Sequence, residues 1–398
     1  VNPFPDIDVA ATDTLICNEE LAQFKVSTPN TQVRGNWLYD LDVEADGEIS
    51  GARGDGIYPI DSILIEDMLI NNDTVAHKVT YHFTPFIESS DLLGNCGSGR
   101  DTIITIWVNP TPRIFVDFPD TIFCNNDTAF ISVLDGLGNP VLGDPVYVVT
   151  ADYNDSNVTV ISRADGVPET WSAGTPITDI YVNHTLEAQP VDYTFRPRIL
   201  DTRIGYEGAY CSGEDITVRI WINPTPGIDV DVPDTIICDN NNVLINVSTQ
   251  QGSVVGGSLI YELDVTYDGT AVSGSITGDG EWDPGDSIDD LLINDTDTVQ
   301  LITYRFIARI KDERPGHSGS FCNNGSDTIR SIYLNPTPRY NYQLSADTLC
   351  HTGGFDLGTN PFTYATHPQY YDLVVTANPD LTGVIGSPAS LPLSLIHI

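Results

Sequence analysis

Positive charge is what this sequence has least of. Seventeen Lys and Arg stand against 56 Asp and Glu, a formal net charge of −39, and only three of the cations are Lys. Phosphate backbones are held by clustered cations, so a deficit spread through the whole chain excludes nucleic acid and disfavours docking on an anionic membrane surface. Long apolar runs are missing as well. No stretch reaches the roughly eighteen residues a membrane span needs, and nothing at Val1 resembles a signal peptide.

Catalytic signatures are equally scarce. HExxH, GxSxG and P-loop patterns do not occur, and the seven His (77, 82, 184, 317, 351, 367 and 397) fall at non-equivalent positions. Short CxxC knuckles are absent, which argues against zinc. Three Lys are too few for a Lys–Asn isopeptide bond in every domain. The reading is a non-enzymatic chain that requires no cofactor.

What the chain has in quantity is turn formers. Asp outnumbers Glu 43 to 13, with 33 Gly and 26 Pro, and Asp, Gly and Pro favour turns where Glu favours helix surfaces. Hydrophobic residues at 40% and aromatics at 9% suffice for packed cores. An all-β fold is expected.

A four-residue phrase, Asn-Pro-x-Pro, begins at Asn2, Asn109, Asn223 and Asn335 and divides the chain at intervals of about 110 residues. After each comes an Asp-Thr pair and a Cys, at Cys17, Cys124, Cys238 and Cys350. A period-two strand pattern follows: Val79, Tyr81, Phe83; Val191, Tyr193, Phe195; Ile302, Tyr304, Phe306. A second Cys (96, 211, 322) precedes a closing strand that carries Ile104, Ile106 and Val108 inward in the first copy, and Val218, Ile220 and Ile222 in the second. The domains are therefore 1–108, 109–222, 223–334 and a truncated fourth, 335–398, in which residues 393–398 fit no part of the repeat and look like a translated sequencing adapter. The absence of an initial Met and the broken fourth copy suggest an internal piece of a longer chain.

The repeat sorts the cysteines into one long-loop disulfide per domain: Cys17 with Cys96, Cys124 with Cys211, and Cys238 with Cys322, leaving Cys350 without a partner. Such bonds stabilise a domain of this size by roughly 4 kcal/mol in the chain-entropy model and persist in an oxidising, extracellular setting.

Several polar features carry a functional and a structural reading side by side. Asp-Thr or Asp-Ser before an apolar residue recurs at Thr14, Ser62, Thr74, Thr102, Thr121, Thr128, Thr235, Ser287, Thr298, Thr328 and Thr348. It is either a strand start closed by an Asx-turn or an O-glycosylation acceptor, since the triplet resembles that of gliding surface bacteria. Asp279, Glu281, Asp283, Asp286 and Asp290 form the densest acidic cluster and are the weak calcium candidates, without EF-hand spacing. Trp107, Trp221 and Tyr333 share one place on the closing strand, where they could stack on sugar rings or cover the sheet. Asp67 with Asn71, Asp179 with Asn183 and Asp290 with Asn294 recur at a spacing of four, and loop capping is the expectation for them. Asp46-Gly47 and Asp268-Gly269, with Asn154 between them in the second copy, read as tight turns.

The order of the Asn-Pro-Thr-Pro linker, the DTIxC opening, the VTYxF strand and the Cys before the closing strand resembles the PKD-like, immunoglobulin-like repeats of long surface adhesins from gliding bacteria with type IX secretion. That resemblance implies tandem β-sandwiches in an elongated array at the cell surface. It agrees with the expectation of about seven short strands per 110 residues. The expected function is a structural or adhesive stalk or fibre, with an extracellular surface, a glycan or like subunits as partners and no membrane insertion. The alternatives are an array of carbohydrate-binding modules, or the accessory region of a secreted enzyme.

Overall fold

The structure, a computed structural model, describes the chain except residues 1, 61–63, 90–94, 98, 162–168, 318 and 320, and, in the last repeat, 345–347, 349–355, 362–364, 374–375, 377, 381–388, 393–395 and 398. Among the described residues every regular element is a strand.

Three sandwiches of the same plan follow one another. In the first, one sheet takes Asp8–Ala11, Glu20–Ser27, Leu64–Asn71 and Ile49–Ser50 in that order. The facing sheet takes Leu15–Ile16, Thr102–Val108, His77–Glu88, Asn36–Ala45 and Gly56–Pro59. The strand neighbours recur in the second sandwich, where Gln189–Leu200 lies between Ile216–Ile222 and Asp144–Asp152, and in the third, where Gln300–Asp312 lies between Asp327–Asn335 and Gly257–Thr266. This is the tandem β-sandwich architecture that the alternating patterns predict.

Each core is built on the period-two strand. Tyr81, Phe83, Tyr193, Phe195, Tyr304 and Phe306 are fully buried, and the Phe of each pair meets a Tyr from the neighbouring strand. The ring centroids lie 5.4 Å apart for Tyr39–Phe83, 5.9 Å for Tyr147–Phe195 and 5.7 Å for Tyr261–Phe306. Ile106, Val108, Val218, Ile220 and Ile222 are buried on the closing strands, while Ile104 is half-buried.

The Asp-x-x-x-Asn spacing has a different role from loop capping alone. Asp67, Asp179 and Asp290 lie on strands and are buried, and each accepts a hydrogen bond from the core Tyr fourteen residues on, at 2.9, 2.7 and 2.7 Å. Local donors complete two of these sites: Arg53 for Asp67, and Thr277 through both its N–H and its hydroxyl for Asp290. A buried carboxylate needs such partners to offset desolvation. The Asn members do cap loops, with Asn71, Asn183 and Asn294 donating to the carbonyls of Val75, Glu187 and Thr298, each at 2.8 Å. The tight turns are also present, closed by Ile49 N to Asp46 O, Asn157 N to Asn154 O and Ala271 N to Asp268 O.

By compactness the chain forms two units. One comprises Val1–Val182 with Pro190–Ile222, and the other Asn183–Gln189 with Asn223–Ile398. The first unit contains the bulk of the first two sandwiches and the junction between them.

Candidate functional site: the junction of the first two repeats

The Asn-Pro-x-Pro phrase does more than restrict the backbone. Asn109 is 2% exposed, and its side-chain amide donates to Leu142 O at 2.7 Å and accepts from Leu142 N at 3.0 Å. A carboxamide has the same donor and acceptor as a peptide unit, so Asn109 supplies one rung of a strand pair from its side chain. Two other copies repeat the bond pair, Asn2 with Arg34 and Asn223 with Val255, while Asn335 accepts from Thr366 N but donates to the Thr366 hydroxyl. The last Pro of the phrase is held just as closely. A Cβ on Gly213 would lie 1.8 Å from Pro112 O, so only glycine lets the backbones approach there.

Two main-chain bonds join the loop after Asn71 to the second sandwich, Gly138 N to Thr74 O at 2.9 Å and Ala76 N to Pro140 O at 2.7 Å. Within the second unit, the Asn183–Gln189 segment makes a similar pair, Gly252 N to Leu186 O at 2.8 Å and Ala188 N to Ser253 O at 2.9 Å.

The junction is also covalent. Cys17 is bonded to Cys211, with Cα atoms 5.4 Å apart, and not to Cys96. Cys124 and Cys322 are disulfide-bonded too, whereas Cys96 and Cys238 carry free thiols. All three expected pairings, 17–96, 124–211 and 238–322, are therefore wrong; Cys350 lies outside the described residues.

The reason is strand register. Leu15–Ile16 pair in parallel with Trp107–Val108, which places Cys17 beside the C-terminal end of the closing strand, opposite His77. Cys96 instead bridges Ile87, ten residues further along the His77–Glu88 strand. At about 3.3 Å per residue this puts the two cysteines of one repeat roughly 30 Å apart, whereas a disulfide needs Cα atoms within about 7 Å. They sit at opposite ends of the sandwich, so the end of one repeat meets the start of the next.

Beside the bond, Arg203 donates to Asp13 Oδ1 at 2.6 Å and Oδ2 at 3.1 Å, to Asp201 Oδ2 at 2.6 Å and to Leu15 O at 3.3 Å. Its guanidinium lies 4.0 Å from the Tyr206 ring centroid. Hydrogen bonds from Arg203 hold the Asp201 carboxyl below its usual range. Burial pushes Asp13 up, but the Arg203 side chain and the Leu15 and Thr14 amides outweigh it, and Asp13 is also lowered. The Cys17–Cys211 disulfide and the Arg203–Asp13 pair, with Asp201 bracing Arg203, thus clamp one repeat to its neighbour. An open polar cleft of about 700 Å³ lies at the same junction, lined in part by Glu19, Asp73, Arg113 and Glu214.

Of the other sequence candidates, Thr14 and Thr74 lie at this junction, Thr14 donating its amide to Asp13 and Thr74 accepting from Gly138 N. Asp13, Asp120 and Asp234 each accept the amide two residues on, at 3.0, 2.8 and 3.0 Å, closing the Asx-turn at a strand start. Of the hydroxyls, Thr14, Thr128, Thr235, Ser287, Thr298 and Thr348 are exposed, and Thr74, Thr102, Thr121 and Thr328 are half-buried; Ser62 lies outside the described residues. The calcium candidates do not converge. Asp279 accepts from Val265 N, Glu281 from Lys311 Nζ, and Asp290 is taken by Tyr304 and Thr277, while Asp283 and Asp286 are exposed. Among the described residues these five form no group with ligand atoms close enough to share an ion. Trp107 and Trp221 are half-buried and Tyr333 is exposed, each paired in register with the short opening strand of its own repeat.

Arg203 and Asp13 escaped the sequence reading. A signal for Arg203 existed in the Asp-x-Arg that follows the Tyr-x-Phe strand at Asp201 to Arg203 and again at Asp312 to Arg314. In the second unit Arg314 Nε donates to Asp312 Oδ1 at 2.9 Å.

Comparison with known proteins agrees with the repeat at sequence level. Residues 15–112 match the family described as PKD-like domain. The match spans the body of the first repeat, from the strand that holds Leu15 to the Pro112 that Gly213 abuts. No curated protein matches the chain. Among solved structures, the Escherichia coli adhesin FdeC is similar at 11% identity and TM-score 0.29, over 85% of this chain and 99% of that one. The Yersinia pseudotuberculosis adhesin InvE is similar at 15% identity and TM-score 0.23, over 57% of this chain and 60% of that one. The ICAM-5 D1–D4 ectodomain fragment is similar at 10% identity and TM-score 0.28, over 98% and 91%. No helix among the described residues is long and apolar enough to cross a membrane.

Proposed function

We propose that the chain is part of a non-catalytic extracellular stalk of a bacterial surface protein, structural or adhesive in role. The observation that carries this reading is the Cys17–Cys211 bond between successive sandwiches. A bond of this kind persists in oxidising compartments, and one placed between domains serves to hold an array together under load. The charge of −39 keeps such an array solvated and limits sticking between copies. Sugars on the exposed Asp-Thr hydroxyls would act in the same direction, and export by type IX secretion in a gliding bacterium is the finer form of the proposal. Antibody against the chain should decorate intact, unpermeabilised cells of the source organism. Labelling confined to permeabilised cells would overturn the reading.

A further inference from the structure

Two free thiols stand where their counterparts in the first junction are bonded. Cys238 ends the strand Ile236–Cys238 at the position of Cys17, and it is exposed. Cys96 bridges Ile87 as Cys211 pairs with Ile199, and it is half-buried.

A second, independent feature accompanies Cys238. In the first junction the bonded Cys17 lies four residues after Asp13, whose carboxylate closes an Asx-turn on Leu15 N and receives Arg203 from the next repeat. Asp234 precedes Cys238 by the same four residues and closes the same turn on Ile236 N at 3.0 Å. Asp234 is exposed, and among the described residues it makes no ion pair. The third repeat thus presents both halves of a two-point socket, a thiol for a Cys and a carboxylate for an Arg, in the order that the first repeat uses them.

We propose that Cys238 is a covalent docking site for a like repeat, one that carries a Cys at the position of Cys211 and an Arg at the position of Arg203. The copy that opens at Asn335 does not reach either position within the 398 residues. Cys96 is the complementary half and takes the Cys17-type thiol of another like repeat. In each case two thiols lose two protons and two electrons as the S–S bond forms, and a disulfide-bearing oxidant is reduced to two thiols. Each proposed bond then runs, as Cys17–Cys211 does, from the opening Cys of one repeat to the second Cys of a following one. The inference goes beyond the stalk reading and does not rest on it, because it concerns bond connectivity in any setting that oxidises thiols.

Non-reducing peptide mapping of the full-length protein from its source, after iodoacetamide has blocked free thiols, tests it. The Cys238 peptide is expected joined to a peptide holding the second Cys of another repeat, with the Cys17–Cys211 pair as internal reference. In the Cys238→Ser protein one cysteine of that other repeat should become alkylatable while the reference pair persists. Recovery of Cys238 in alkylated form, or joined to Cys322 or Cys350, overturns the proposal.

Discussion

The side-chain amide of Asn109 meets both backbone polar groups of Leu142, at 2.7 and 3.0 Å, while 98% of its surface is out of water. Its Pro neighbours stiffen the linker, but Asn109 is what ties the linker to the sandwich it introduces.

Replacement of Asn109 should therefore cost more than its size suggests. Asn109→Ala leaves the N–H and C=O of Leu142 without their partner, and each lost buried bond is worth about 1–3 kcal/mol. Asn109→Asp keeps the acceptor but sets a carboxylate against Leu142 O, so it should be no better. Denaturant unfolding of both variants, with the exposed Asn72→Ala as control, measures the difference. A midpoint unchanged from the control would refute the role.

Force applied along the chain crosses the Cys17–Cys211 bond instead of the 194 residues between them. In a Cys124→Ser/Cys322→Ser background, single-molecule extension should release on the order of 650 Å less contour than the same protein with Cys211→Ser, at about 3.4 Å per residue. Reductant should abolish the gap. Equal extension with and without reductant would mean that the bond does not bear load.

The Arg203 clamp also predicts an acid response. Asp13 and Asp201 have folded pKa values below their unfolded ones. Their contribution is present above the unfolded carboxylate range near pH 4 and is lost as pH falls through the folded values. Arg203→Gln should remove about 1–3 kcal/mol at pH 7 and progressively less as pH falls below about 4, read from denaturant midpoints across that range. A penalty that does not change with pH would assign Arg203 to packing on Tyr206 alone.

Alkaline titration probes the core tyrosines. Burial first, and then the neighbouring Asp67, raises the Tyr81 phenol, with the same effects at Tyr304 beside Asp290 and an added Tyr181 contribution at Tyr193. Burial likewise pushes Tyr261 up to about 12. Because the folded values are raised, the stability is complete below the unfolded value near 10 and declines as pH climbs toward the folded ones. Ultraviolet titration should show these phenols ionising above the ordinary tyrosine range, and only with unfolding. A single transition near pH 10 in folded protein would count against the buried pairs.

The clamp residues were partly legible. The recurring Asp-x-Arg was visible at Asp201 and Asp312, but which carboxylate Arg203 reaches depends on a neighbouring repeat, and no spacing within one repeat encodes it. Asp67, Asp179 and Asp290 were visible as a repeated spacing with Asn, while their Tyr partners lay fourteen residues away on another strand. The acidic residues 279–290 are dense in sequence but do not converge in space: turns and strands send Asp279, Glu281 and Asp290 to separate partners.

By itself the sequence determined the repeat, the all-β class and the aromatic core. Period-two alternation is a consequence of covalent strand geometry and survives any tertiary arrangement. Only the tertiary structure decided the disulfides. Two cysteines in one repeat look like partners when counted along the chain, yet a parallel pairing at Leu15–Ile16 and a bridge at Ile87 place Cys17 and Cys96 at opposite ends of a sandwich. Bond reach is a few ångströms, so the partner is set by which ends abut, and that makes the disulfide a property of the junction.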